Sequence, residues 1–238
     1  GGPRSCVQGR GAARVSEDTP LSGNDAKVVD RSTGMSIMTS TTPFVLDPTA
    51  QDALFRTART ARVWDDAPVS DEHLESVYDL CRWGPTALNT SPLRLLRVTS
   101  TQARERLASH LAEGNRERTL TAPLTLVVAA DTDFHAHMDR LVPHWPGAAE
   151  HFTDEDVRAA MARDNAFLQA GYLIVALRAS GLEVGPMGIA DPAGLDADLL
   201  AGTSWRSLLV VNAGWPAADN GAHPRAPRLE PNEVIRAA

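Results

Sequence analysis

The hydrophobic and polar positions of this chain follow regular periods from Asp47 onward. A helical period is expected near 48–58, and a second helix is predicted over 71–83. In the second, apolar residues recur at i, i+3, i+4 and i+7: Leu74, Val77, Tyr78 and Cys81. Ser70 precedes it and acidic residues fill its first turn, so Ser70 is the predicted N-cap.

Three short apolar runs with branched side chains predict buried strands at 93–98, 124–130 and 208–213. A helix is expected at 102–112, and a longer one over 154–180, capped by Thr153 and ended by Gly181. The middle of the long helix is apolar on most faces, so protein should enclose it, including a second copy of the chain. The order of elements, with neither a Rossmann nor a P-loop glycine motif, predicts an α+β domain.

The chain has 238 residues, of which 43% are hydrophobic, which is enough for one folded domain. Residues 1–45 lack an apolar period and are predicted to be a disordered N-terminal extension to a domain at 46–238. The net charge of −7 argues against nucleic acid as a partner. Two distant cysteines and the lack of a long apolar run favour a cytoplasmic protein with no membrane partner.

Two segments combine polar groups with helix-ending residues. Residues 59–64 read Arg-Thr-Ala-Arg-Val-Trp, and two guanidinium groups with a hydroxyl suit a phosphate. A solvated arginine pair at a helix C-terminus explains them as well. Residues 83–92 place a Gly-Pro pair before Thr, Asn and Ser, which offer hydroxyl, amide and backbone N–H groups, although alone they indicate only a turn.

Two further segments carry ligand-binding potential. Asn115 and Arg118 are three residues apart and share one face of a short helix. Residues 185–189, Gly-Pro-Met-Gly-Ile, are expected to form a loop that lets the backbone approach a ligand, and a turn after Gly181 explains them equally well.

Taken in order, these motifs resemble those of the nitroreductase-like flavoprotein family, from about residue 50 to the end. The family pattern R-S-x-R-x-[FY] corresponds to 59–64, P-[ST]-x-x-N-x-x-P to 85–92, N-x-x-[KR] to 115–118, and the basic C-terminal element to 224–229. Within the family, the branch containing malonic semialdehyde reductases looks most similar, on the segments 83–86, 114–115, 119–123, 185–187 and 201–205.

The resemblance implies a nitroreductase-like α+β fold, in which helices flank a mostly antiparallel sheet, and an interlocked homodimer with FMN at its interface. It also implies ping-pong hydride transfer from NAD(P)H through flavin N5 to a small acceptor: a semialdehyde, a nitro compound or a quinone. The flavin carries this chemistry, so no catalytic side chain is predicted.

The resemblance also assigns cofactor-binding residues. The ribityl phosphate would be held by Arg59, Thr60, Arg62 and Arg228, with Arg225. The other subunit would reach the flavin with Pro85, Thr86, Ala87 and Asn89. Asn115 and Arg118 would address the pyrimidine edge of the isoalloxazine. The loop facing N5 and O4 would be Pro186, Met187, Gly188 and Ile189, with the last two donating backbone N–H groups.

Two departures from the family pattern leave the substrate open. The frequent Gln-Pro-Trp is Ser91-Pro92-Leu93 here, and Ile189 stands where many relatives have glycine. One alternative is an FMN-dependent dehydrogenase or oxidase that tailors a biosynthetic intermediate, and another is a flavin-binding protein without turnover.

Four histidines lie close together at 135–151, and the HxH spacing of His135 and His137 can bind a transition metal. The stretch has no clean period and stands where the family places a variable lid, so lid-surface or substrate contacts are the favoured interpretation. No metal is therefore expected.

Overall fold

A computed structural model describes residues 44–238 of the chain, which form a four-stranded sheet between two layers of helices. The strands are β1 (Leu93–Arg97), β2 (Leu124–Asp131), β3 (Glu183–Met187) and β4 (Trp205–Gly214). They lie in the order β1-β2-β4-β3, and each neighbouring pair is antiparallel. The predicted α+β class with an antiparallel sheet is confirmed. The predicted N-terminal extension at 1–45 lies almost wholly outside the described residues.

The helices are α1 (Pro48–Gln51), which continues into a π-helical turn at Asp52–Arg56, then α2 (Asp71–Cys81), α3 (Thr101–Ser109), α4 (Glu113–Thr121), α5 (Met138–Leu141), α6 (Glu155–Ala179), α7 (Pro192–Leu199) and α8 (Pro231–Val234). The predicted cap of α2 is confirmed, because Ser70 Oγ accepts from the backbone N–H of His73 at 3.1 Å.

Two sequence predictions were wrong in detail. Residues 183–187 are the edge strand β3 and not a loop, with Gly185 opposite Asn212 and Pro186 opposite Val211 in β4. An edge strand tolerates proline because its outer side needs no N–H donor. The cap of α6 is Asp154 and not Thr153, since the Asp154 carboxylate accepts from two backbone N–H groups at 3.0 and 3.1 Å.

The core lies on both faces of the sheet. On one face, α2 and α6 cover the strands through a cluster that includes Val77, Leu126, Leu173 and Val211. On the other face, α3 and α7 pack against Val127 and Val210. The 134–152 stretch has a buried cluster of its own against α6, formed by Phe134, Met138, Val142, Ala148, Phe152, Ala162 and Ala166. The expected lid is therefore a packed part of the domain.

The long helix α6 is enclosed on one side only within a single chain. Its sheet-facing side is buried, whereas Leu168 and Tyr172 on the opposite side are 54% and 47% exposed. This outer face needs a further partner if the predicted enclosure is to be complete. None of the helices formed by residues 44–238 has the length and apolar character of a membrane span.

Candidate active site

A cleft of about 680 Å³ opens where four parts of the chain meet: the turn after the first helical stretch, α4, the end of α6 and the segment 222–228. Six arginines line it: Arg59, Arg62, Arg118, Arg178, Arg225 and Arg228. Within the described part of the chain, no carboxylate lines this cleft and none of the six forms an ion pair. Such a concentration of positive charge favours an anionic ligand.

Neutral groups hold several of these arginines in place. Arg59 donates to the carbonyl oxygen of His223, and Arg62 contacts the imidazole of the same residue. Arg225 donates to the carbonyl of Ala58 at 2.9 Å. These contacts fix the guanidinium groups without neutralising them, so their charge stays available to a ligand.

Two arginines of the cleft have pKa values that burial and a neighbouring arginine lower. Burial lowers the pKa of Arg118, and the positive charge of Arg62 lowers it further. Arg178 shows the same pattern, with burial as the larger cause and Arg225 as the second. In addition, Arg118 Nε is a buried donor that finds no acceptor among residues 44–238. A bound anion would relieve the repulsion.

The segment 59–64 is fastened to the sheet beside β3. Ala61 N donates to Val184 O at 3.1 Å, and the indole N–H of Trp64 donates to Glu183 O at 2.9 Å. A Cβ on Gly185 would lie 2.5 Å from the Ala61 carbonyl oxygen, so only glycine permits this approach. This attachment sets the position of Arg59 and Arg62.

A buried polar network fixes α4 against the sheet. The Asn212 amide, fully buried in β4, donates to Thr119 Oγ1 at 3.1 Å and to the Arg118 carbonyl at 3.2 Å, and it accepts from Thr125 Oγ1 at 3.1 Å. Arg118 Nη2 in turn donates to the side-chain oxygen of Asn115. The network therefore fixes the face of α4 that carries Asn115 and Arg118, and Arg118 lines the cleft.

The end of β3 lies beside the same helix. Thr119 Oγ1 is 3.6 Å from the buried Met187 Sδ, and Pro186 is half-buried in the strand. After the strand, the backbone N–H groups of Gly188 and Ile189 donate no hydrogen bond to other described residues. Residues 186–189 do not line the arginine cleft, and their role as a ligand-facing edge stays a prediction.

The 85–92 segment has an unusual backbone. Leu88, Asn89 and Ser91 all have positive φ, at 52°, 54° and 42°, which is rare for residues other than glycine. Two buried amides of α6 hold this shape: Asn165 accepts from Ala87 N at 2.7 Å, and Gln169 accepts from Leu93 N at 3.0 Å. Backbone strain that the surroundings enforce is typical of functional sites.

Some predicted side chains in this segment have contacts within the chain. Thr86 Oγ1 accepts from Ser91 N at 3.1 Å, and Asn89 Nδ2 donates to Leu141 O at 2.9 Å. Pro85 and Ala87 are exposed. The segment thus presents mainly backbone and small side chains to its surroundings.

This segment and the arginine cleft lie at different points along α6. The segment is anchored at Asn165, whereas Arg178 is on the cleft, and thirteen helical residues correspond to roughly 20 Å at 1.5 Å per residue. The two groups of predicted cofactor residues therefore do not converge within one chain.

Comparison with known proteins identifies the family. The sequence profile of the nitroreductase family matches residues 55–215, more than half of the chain. A Streptomyces griseus protein with the provisional name NADH dehydrogenase/NAD(P)H nitroreductase is 50% identical over 192 residues, which cover 80% of this chain and 97% of the relative. The chain belongs to the nitroreductase family. A Streptomyces coelicolor relative with a similar provisional name is 48% identical over the same shares of the two chains.

Solved structures of nitroreductase-family proteins share this fold. A provisionally named nitroreductase from Exiguobacterium sibiricum, in complex with FMN, aligns with a TM-score of 0.67 at 19% identity. The alignment covers 78% of this chain and 95% of that one. At this level of identity the likeness establishes the fold alone.

As a nitroreductase-family chain, the protein brings six of the predicted cofactor residues to the cleft: Arg59, Thr60, Arg62, Arg118, Arg225 and Arg228. Among the lining residues that were not predicted are Arg178 and His223, whose side chains are polar. Arg178 stands at the end of a helix, where a positive charge is common without any ligand. The amides Asn165, Gln169 and Asn212 were also missed, although buried polar residues within apolar runs could have signalled them.

In the described part of the chain, the histidines of the 134–152 stretch take part in no metal-binding cluster. His151 packs against Trp145, with ring centroids 4.8 Å apart, and His135 meets the Phe134 ring edge-on. Among residues 44–238, no three His, Cys, Asp or Glu side chains are arranged to hold a metal ion.

Proposed function

We propose that this protein is an FMN-dependent oxidoreductase that takes hydride from NAD(P)H and passes it to a small acceptor. The observation that carries the proposal is the cleft with six arginines and no lining carboxylate in the described part of the chain. Family membership supports it, as do relatives that carry NAD(P)H nitroreductase names and structural neighbours solved with FMN.

The residues of the cleft fit FMN at both ends. Arg59, Arg62, Arg225 and Arg228 would hold the phosphate, whose dianion matches several guanidinium groups. Arg118 on the cleft, and Asn115 beside it in α4, would face the pyrimidine edge, whose carbonyl oxygens accept hydrogen bonds from guanidinium and amide groups. When bound, FMN supplies a two-electron hydride carrier. The positive charge of Arg118 would favour the anionic reduced form.

The proposed active unit is a homodimer. The strained 85–92 segment is anchored roughly 20 Å along α6 from Arg178 on the cleft of its own chain, so its assigned flavin contacts would be made in the cleft of a second copy. Trp83, beside this segment, is 75% exposed, and the exposed Leu168 and Tyr172 of α6 add apolar surface. An apolar patch of this kind is typical of an interface between subunits.

The proposed reaction alternates two half-reactions in one site. NAD(P)H gives up a hydride and leaves as NAD(P)⁺, after which the acceptor takes the hydride together with a proton from water. The chain's task is to bind, orient and exclude solvent, and no side chain is assigned as a catalytic acid or base. A semialdehyde, a nitroarene and a quinone are the acceptors that the sequence motifs favour.

Anaerobic stopped-flow spectroscopy tests this function. FMN-loaded protein is reduced with NADH or NADPH, then mixed with malonic semialdehyde, a nitroarene, a quinone or oxygen. The proposal predicts bleaching of the flavin by at least one nicotinamide and reoxidation by an organic acceptor faster than by oxygen. Flavin that neither nicotinamide bleaches would refute it. If oxygen reoxidised the flavin faster than every organic acceptor, the protein would be an oxidase and not a reductase.

A further inference from the structure

Arg178 is the arginine of the cleft that none of the family motifs supplies. It ends α6, it is half-buried, and it lines the cleft beside Arg225. A helix C-terminus favours a solvated arginine, whereas Arg178 is half-buried and shares the cleft with a second guanidinium group.

The contacts of Arg178 leave its charge unsatisfied. Within the described residues, its one hydrogen bond is to the carbonyl oxygen of Leu54 at 3.4 Å, longer than the usual range for N–H···O bonds. Burial lowers the pKa of Arg178, and the positive charge of Arg225 lowers it further. Arg225 itself donates to Ala58 O, next to Arg59 in sequence.

We propose that Arg178 is an additional ligand of the flavin phosphate and sets the preference of the cleft for phosphorylated over unphosphorylated flavin. This inference rests on the proposed function. Arg178 approaches from α6, whereas the motif arginines approach from 59–62 and 225–228, so the phosphate meets guanidinium groups from three directions. A dianion among them turns the mutual repulsion of the free protein into attraction.

The test compares FMN with riboflavin, which differ only in the phosphate. Full-length protein stripped of flavin is titrated with each, and binding is followed by quenching of flavin fluorescence. For Arg178→Gln we expect FMN affinity to fall about 10- to 100-fold while riboflavin affinity stays within about twofold, as for one lost charged hydrogen-bonding group. Arg178→Lys, which keeps the charge without the planar fork, should recover part of the loss. Arg206→Gln, which removes an exposed arginine from β4, is the matched control and should change neither affinity.

Thermal unfolding of the flavin-free protein separates this role from a structural one. Because Arg178 is repelled by Arg225, the flavin-free Arg178→Gln variant should unfold at the same temperature as the wild type or higher. Equal losses of FMN and riboflavin affinity together with a lower unfolding temperature would overturn the inference, and so would unchanged FMN affinity. Wild-type protein that binds neither flavin would refute the proposed function itself and this inference with it.

Discussion

Replacing Gly185 with alanine should loosen the attachment of the segment 59–64 to the sheet. A Cβ at this position would meet the Ala61 carbonyl oxygen at 2.5 Å and the Trp64 ring at 3.2 Å. The first of these neighbours is backbone and the second belongs to a buried side chain, so neither can move aside cheaply. The segment must therefore shift away from β3, and it carries Arg59 and Arg62 with it.

The expected loss of stability follows from two terms. Forcing a methyl group into a close-packed contact costs about 1–3 kcal/mol. Loss of the hydrogen bond from Ala61 N to Val184 O adds about 1 kcal/mol. Gly185→Ala should therefore lower the free energy of unfolding by about 2–4 kcal/mol. Urea denaturation of flavin-free protein measures this quantity, and a fluorescence titration should show weaker FMN binding.

Gly114→Ala is the matched control. Gly114 is in α4, and a Cβ there meets no atom within 4 Å. Alanine should raise the free energy of unfolding by about 0.5–1 kcal/mol, since glycine weakens a helix. If Gly185→Ala proved as stable as the wild type and bound FMN equally well, the close contact between Gly185 and the Ala61 carbonyl would not be what positions the segment 59–64.

Three further predictions concern the buried network of Asn212, the proposed phosphate site at Arg228 and the buried thiol of Cys81. Asn212→Ala removes the buried amide that bonds the Thr125 and Thr119 hydroxyls, so urea denaturation should show a loss of about 2–5 kcal/mol; a loss below about 1 kcal/mol would contradict the role of the network. Arg228→Ala should lower the flavin content of purified protein without changing its oligomeric state, and undiminished FMN would remove Arg228 from the phosphate site. Burial raises the pKa of the Cys81 thiol to about 11, so in a Cys6→Ser variant it should resist a thiol-reactive disulfide reagent near pH 8 until the protein unfolds, whereas rapid labelling of folded protein would show that the thiol is accessible.

Features that depend on neighbouring residues could be predicted from the sequence. The start of α2 at Ser70 follows from a cap residue and a helical period, both of which are local. The strand β3 was missed because Gly185 and Pro186 have low strand propensity. Its pairing partner in β4 lies far along the chain, and its glycine serves a close approach to the segment 59–64 that no local pattern reveals.

The candidate site also contains residues that could be predicted from the sequence and residues that could not. Arg59, Arg62 and Arg118 belong to short motifs that can be recognised from their order along the chain. Arg178 could not be separated from an ordinary helix-ending arginine, because its place on the cleft depends on the distant segment 222–228. The left-handed backbone of Leu88, Asn89 and Ser91 was also beyond prediction. It runs against the preference of leucine and serine, and it is held by amides more than seventy positions away in sequence.

A crystal structure of the protein grown with FMN tests the central claim most directly. The account predicts that the phosphate lies in the arginine cleft in contact with Arg59, Arg62 and Arg228, and that the 85–92 segment of a second copy borders the same flavin. A flavin bound elsewhere, or held in the cleft by one chain without any residue of a second copy, would contradict it.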